Sequence, residues 1–123
     1  MKKTLPFLGA ALFALALGAS AQAPAMKAAD GTMTDAKGMT LYSFDKDAGG
    51  KSACNGPCAA NWPPLLAGGE AKASGDWTIV TRDDGGKQWA YKGKPVYTWT
   101  KDSKPGDKTG DGFLNGAWHA VKD

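Results

Sequence analysis

The chain carries a single histidine, His119, and a single glutamate, Glu70, among its 123 residues. One histidine leaves no imidazole cluster for a metal, and no C-x-x-C-H segment is present to attach a haem. One glutamate, in a Gly/Ala stretch, gives no paired carboxylates for glycoside chemistry. Beyond the first 23 residues no segment is long or apolar enough to cross a bilayer, which takes roughly 20 residues. No stretch there sustains helical periodicity for ten residues, so helices have little place in the expected fold. A basic stripe is also missing. Without Lys2 and Lys3 the formal charge falls from +3 to +1, and the remaining lysines are scattered among aspartates. Nucleic acid and an anionic membrane are poor partners for such a surface.

The first residues have a different character. Lys2-Lys3 precedes an uncharged apolar run from Leu5 to Leu17, followed by Ala19-Ser20-Ala21 and Ala21-Gln22-Ala23. This is the secretory signal pattern, with cleavage expected after Ala23 and Ala21 as the second choice. No cysteine follows the apolar run, so the lipid-accepting residue of a lipoprotein is missing. Residues 24–123 are expected to form a single domain, exported to the periplasm or the extracellular space. About 100 residues bury a modest core, and such chains often need a staple. Export places the two cysteines, Cys54 and Cys58, in an oxidising compartment, where one disulfide is expected. The loop it closes is short, and its expected contribution is about 2 kcal/mol.

An internal repeat organises the rest. Lys37-Gly38-Met39-Thr40-Leu41-Tyr42-Ser43-Phe44-Asp45-Lys46-Asp47 recurs as Lys92-Gly93-Lys94-Pro95-Val96-Tyr97-Thr98-Trp99-Thr100-Lys101-Asp102. The shared frame is K-G-x-x-[LV]-Y-x-[FW]-x-K-D, and Trp62 and Trp118 follow at nearly equal offsets. Two copies are too few for a solenoid and suit a pseudo-symmetric domain with halves at about residues 30–66 and 76–121. Each copy reads as a strand with Tyr and Phe or Trp on one face. Asp35–Gly38 is expected to join Thr32–Thr34 to Met39–Phe44. Asp83–Gly86 is expected to join Thr78–Arg82 to Lys87–Tyr91, and Lys92-Gly93 to lead into Lys94–Trp99. Ala117–Val121 is a last strand. Cys58–Trp62 suits one helical turn, stopped by Pro63-Pro64. Asp102–Gly116 reads as a long loop. The expected fold is all-β or β-rich: two hairpin-based pseudo-repeats with a short helical turn near the cysteine pair.

The repeated Y-x-[FWY]-x-x-D motif, Tyr42-x-Phe44-x-x-Asp47 and Tyr97-x-Trp99-x-x-Asp102, resembles the secreted repeat family of predicted bacterial lipoproteins that carry it. Cys54-x-x-x-Cys58-x-x-x-Trp62-Pro63-Pro64-Leu65 and Pro105-Gly106-Asp107…Trp118-His119 are similar to that family's other segments. The resemblance implies a secreted or envelope-associated module and names no activity.

Residues able to carry chemistry are few. A redox-active thiol pair is disfavoured by the C-x3-C spacing and by the lack of a thioredoxin-like pattern. A zinc site would need Cys54, Cys58, His119 and a distant carboxylate, and a disulfide removes both thiolates. Met26, Met33 and Met39 could attract a soft metal, but they share no motif spacing and Met26 falls in an expected tail. Asp107, Thr109 and Asp111 match calcium-loop positions, but Trp118 stands where a bidentate glutamate is needed. A Ser-His-Asp set would rest on His119 with Ser43, Ser52, Ser74 or Ser103, none in a nucleophile elbow.

No catalytic residue, metal site or cofactor is therefore assigned. Trp62, Trp77, Trp89, Trp99 and Trp118 are expected to build the core, with an exposed ring platform as the functional alternative. Trp62, Trp118 and His119 are the candidate ligand-binding residues. Asp47 and Asp102 are expected to cap turns by accepting backbone N–H bonds, a task Asn could share. The expected function is a non-enzymatic secreted or periplasmic binding or structural module, its partner an envelope protein or a small ligand. The alternative is an envelope electron-transfer accessory binding copper or haem.

Overall fold

The computed structural model describes residues 25–47 and 49–122. The secretory leader expected over residues 1–23 lies outside the described residues. Among the described residues, seven short strands and two single-turn helices make up the regular structure. The strands are β1 (Met26–Lys27), β2 (Met33–Thr34), β3 (Tyr42–Phe44), β4 (Trp77–Thr81), β5 (Lys87–Tyr91), β6 (Lys94–Pro95) and β7 (Trp118–Ala120). Helix α1 (Pro57–Asn61) follows the first repeat's strand, and α2 (Phe113–Gly116) precedes β7. The ladders among the described residues are antiparallel: β1 with β2, β3 with β7, β4 with β5, and β5 with β6.

Local chemistry sets the turns. Asp35 Oδ1 accepts the Lys37 and Met39 amides at 2.9 and 3.0 Å, closing the turn that brings Thr40 against Thr34. Asp84 Oδ1 accepts the Gly86 amide at 2.8 Å in the β4–β5 turn. Such side-chain bonds mimic a backbone turn and explain why Asp precedes Gly at both places. The β5–β6 turn is Lys92-Gly93, with φ of 51° and 86°. Two positive φ values match the right-handed twist of a two-residue hairpin. In α1, Pro57 occupies the first turn, where its missing N–H costs nothing. The Trp62 amide closes α1 on the Cys58 carbonyl at 2.8 Å, just before the two prolines.

Two expectations change. The run Lys94–Trp99 is not one continuous strand. It leaves β5 after Val96, whose amide still bonds the Trp89 carbonyl at 3.1 Å, and Tyr97 pairs instead with Tyr42 and Pro64. The Trp89 amide bonds the Leu65 carbonyl at 2.9 Å instead of completing the pair with Val96, so the second repeat crosses to the first at that point. Met26, expected in a tail, lies in β1 and is 57% exposed.

The two repeats meet at Tyr42 and Tyr97. Their backbones exchange two hydrogen bonds, Tyr42 N–H to the Tyr97 carbonyl at 2.8 Å and the reverse at 2.9 Å. Around this pairing sits an aromatic cluster of Tyr42, Phe44, Trp62, Tyr97, Trp99 and Trp118 with Cys54. Four rings form one stack in the order Phe44, Trp118, Trp62, Trp99. Their centroid separations are 4.1, 3.8 and 3.9 Å. The order is the same read from either repeat, since Phe44 corresponds to Trp99 and Trp62 to Trp118. Tyr42 meets Trp62 edge-on at 5.2 Å, and Tyr97 meets Trp118 edge-on at the same distance. Such pairs add about 0.5–1.5 kcal/mol each beyond area burial. A second cluster of Met33, Leu41, Trp77, Trp89, Tyr91 and Val96 lies under the β4–β5–β6 sheet.

Candidate functional site

The motif aspartates cap their turns and also reach across the repeats. Asp47 Oδ1 accepts the Ala53 amide at 2.7 Å, and Asp102 Oδ1 accepts the Thr109 amide at 3.0 Å and hydroxyl at 2.6 Å. The other oxygens are exchanged. Tyr42 of the first repeat donates to Asp102 Oδ2 of the second at 2.7 Å. Tyr97 of the second donates to Asp47 Oδ2 of the first at 2.7 Å. Each carboxylate therefore faces donors on both sides. This changes the expectation that Asn could stand in at little cost, because an amide presents N–H toward one of those donors.

Burial raises both tyrosine hydroxyls above their ordinary value. Their partner carboxylates add to the rise. Burial also raises Asp47, against the pull of the Ala53 amide and the Tyr97 hydroxyl.

Arg82, read from the sequence only as the end of a strand before a Gly/Asp turn, is 4% exposed. Its guanidinium donates to Ser52 Oγ at 3.0 Å, Gln88 Oε1 at 2.9 Å, the Cys54 carbonyl at 2.8 Å and Asn55 Oδ1 at 3.2 Å. Ser52 in turn shares a 2.6 Å bond with the Tyr97 hydroxyl. One buried cation thus ties the cysteine segment to the β4–β5 hairpin. Cys54 and Cys58 form a disulfide, as expected.

The candidate ligand-binding residues separate. Trp62 and Trp118 are 3% and 0% exposed, and each lies between two other rings of the stack. Neither presents a face to a ligand, because stacking on its neighbours covers both sides. His119 is outside, and its Nε2 lies 2.9 Å from Asp45 Oδ2. Ser43 stands opposite His119 in the β3–β7 ladder, on the face away from Tyr42, Phe44 and Trp118. No hydrogen bond joins the Ser43 hydroxyl to His119, so the Ser-His-Asp arrangement is incomplete at its first step.

The residues named for copper or haem do not come together. Met33 is buried in the second cluster, Met26 is exposed, and both cysteines are bonded to each other. Among the described residues no group of three or more His, Cys, Asp or Glu side chains gathers to hold a metal. In the loop weighed against calcium, Asp107 caps Ser103 and Lys104 while Asp111 accepts the Ala120 amide. Hydrogen bonds to Lys104 and Ser103 hold Asp107 well below the usual carboxylate range.

What the outer face of β3–β7 does form is a groove of about 320 Å³. Ser43 and His119 line it from the ladder, Tyr91, Lys92 and Lys94 from the β5–β6 hairpin, and Lys122 from the chain's end. Ser43 is 7% exposed, and its hydroxyl has no hydrogen-bond partner among the described residues. Lys92, Lys94 and Lys122 make no ion pair with a described residue. The lysines that looked scattered in sequence include three that share this groove. Period-two alternation along Tyr42-Ser43-Phe44 is the one sequence signal that could have pointed to Ser43.

No helix among the described residues is long and apolar enough to cross a membrane. No curated protein and no solved structure matches the chain. A family model described as a secreted repeat of unknown function matches it twice, over residues 25–66 and 78–122. These two matches hold the two halves that exchange tyrosines and aspartates, and the chain belongs to that family of secreted repeats.

Proposed function

We propose that the protein is a non-enzymatic binding module of the periplasm or the extracellular space, with the β3–β7 groove as its ligand-binding face. The observation that carries this reading is the Ser43 hydroxyl, which opens onto the groove and has no hydrogen-bond partner among the described residues. A hydroxyl free of protein partners can both donate to and accept from a ligand seated there. The setting supports it: the groove's floor is the back of the strand pair whose other face packs on the aromatic stack, and rigid floors favour recognition. The volume lies at the lower end of small-molecule pockets, which run about 300–1,000 Å³.

The test is an amide-shift screen of labelled exported protein against sugars, amino acids and small anions. Saturable shifts centred on Ser43 and His119, weakened in Ser43→Val, are expected. Ligands that instead shift residues around Phe113 and Leu114, or none that shifts the groove, would sink the proposal. The electron-transfer alternative is tested separately by a visible-range spectrum and metal analysis of the exported protein. A haem band or stoichiometric copper would replace the present reading.

A further inference from the structure

The groove's charge names a ligand class. We infer that it binds a phosphate-bearing anion, an assignment that rests on the groove being the binding face. Three lysines from two parts of the chain, the β5–β6 hairpin and the residue after Val121, line it. None of the three is neutralised by a described carboxylate. The one acid that touches a lining side chain, Asp45, is engaged by His119 at 2.9 Å. An anion entering the groove therefore meets cations with little competing negative charge.

The kind of cation narrows the class further. Arg82 is the chain's only arginine and is buried elsewhere, so the groove offers no guanidinium fork. A guanidinium fork holds carboxylate and phosphate alike, whereas lysine is a point charge with three rotatable donors. Three such charges favour the more highly charged anion, and a phosphate group carries more charge than a carboxylate. Ser43 supplies a neutral donor between the ladder strands, and a phosphate oxygen accepts from a hydroxyl as readily as from an ammonium. The Lys92 ammonium lies 5.4 Å from the centroid of the Tyr91 ring, which is packed in the second cluster and anchors that side of the groove.

Lys92 occupies a positive-φ position where asparagine fits the backbone well, so Lys92→Asn removes the charge without straining the turn. Lys94 and Lys122 are exposed and accept Gln. Full-length exported protein is titrated with sodium pyrophosphate, and with succinate at the same ionic strength. Saturable shifts at Ser43, His119 and Lys92–Lys94 are expected with pyrophosphate, at least tenfold weaker with succinate. Lys92→Asn/Lys94→Gln/Lys122→Gln should weaken pyrophosphate at least tenfold while its melting temperature stays at the parent value.

Equal affinity for succinate, equal binding by the triple variant, or shifts spread over Lys72 and Lys101 would overturn the assignment. If a neutral compound shifts Ser43 and pyrophosphate does not, the groove reading stands and the phosphate falls. If nothing shifts Ser43, both fall. Co-sedimentation with phosphatidylglycerol vesicles, competed by pyrophosphate, identifies a lipid headgroup as the phosphate's source. Pyrophosphate binding without sedimentation identifies a soluble one.

Discussion

The crossed tyrosine–aspartate bonds make a quantitative claim about Asp102. Its Oδ2 accepts from the buried Tyr42 hydroxyl and its Oδ1 from the Thr109 amide and hydroxyl. Asparagine at this position must turn its NH2 toward one side. Facing Thr109, it meets an N–H that cannot reverse. Facing Tyr42, it leaves the hydroxyl proton without its acceptor, in a residue that is 0% exposed. The second orientation is the cheaper, and a buried orphaned donor costs about 1–3 kcal/mol. Asp102→Asn is thus expected to lower stability by about 2 kcal/mol.

Tyr42→Phe removes the same bond and also orphans the Gly110 amide, which lies 3.2 Å from the hydroxyl. It should cost about 2–3 kcal/mol, since one lost bond is to a charged acceptor. The double variant should cost about 1.5 kcal/mol less than the sum, because the shared bond is then counted once. Urea unfolding at neutral pH, with the slope unchanged across the four proteins, measures all terms. An Asp102→Asn variant within about 0.5 kcal/mol of the parent would refute the reasoning, as would strict additivity. Either result would return Asp102 to the role of a plain turn cap.

Asp47 is raised above its ordinary carboxyl value chiefly by burial. The folded state then holds this proton more tightly than the unfolded one. Stability from this group is present below the unfolded value near 3.9 and is lost as pH rises through the folded value. The melting temperature of the parent minus that of Asp47→Asn should therefore fall as pH rises from 3 to 6, and a rising difference would contradict it. Gly110→Ala would place a Cβ 2.5 Å from Trp62 Cη2 and 3.0 Å from Trp99 Cδ1, against the ring stack. Overpacking of this kind costs about 1–3 kcal/mol, so its melting temperature should fall, and an unchanged value would show that the stack yields. Cys54→Ala should cost about 2 kcal/mol by chemical unfolding, and thiol titration of unreduced exported protein should find no reactive sulfhydryl.

Much of the fold was legible because its signals are local. Asp35–Gly38 and Asp83–Gly86 form their turns through bonds within a few residues, so composition alone exposes them. The repeat frame singled out Tyr42, Asp47, Tyr97 and Asp102, yet it could not say which tyrosine serves which aspartate. Those bonds span 50 and 60 residues, and spacing carries no information at that range. Arg82 was hidden for a different reason. It precedes Asp83-Asp84-Gly85-Gly86, a context that looks solvated, and only the tertiary arrangement turns its guanidinium inward to four neutral oxygens. The groove escaped because Lys92, Lys94 and Lys122 are assembled from two distant segments, while Trp62 and Trp118 looked available only until their mutual stacking was seen.

The exchange between Tyr42 and Asp102 and between Tyr97 and Asp47 has the logic of an isologous interface, in which residue i of one partner meets j of the other and j meets i. Cut at the linker between the matched halves, neither piece could satisfy its own motif: each would hold a tyrosine without its acceptor and a carboxylate without its donor. A half-length chain of this kind has one way to close those bonds, which is to associate with a second copy. One polypeptide thus carries, between its two repeats, the reciprocal contact pattern of a symmetric homodimer. Covalent linkage lets the two halves keep this shared contact while differing elsewhere. The second half carries the Lys92–Lys94 segment that borders the groove, and the first half carries the Cys54–Cys58 disulfide beside the aromatic stack.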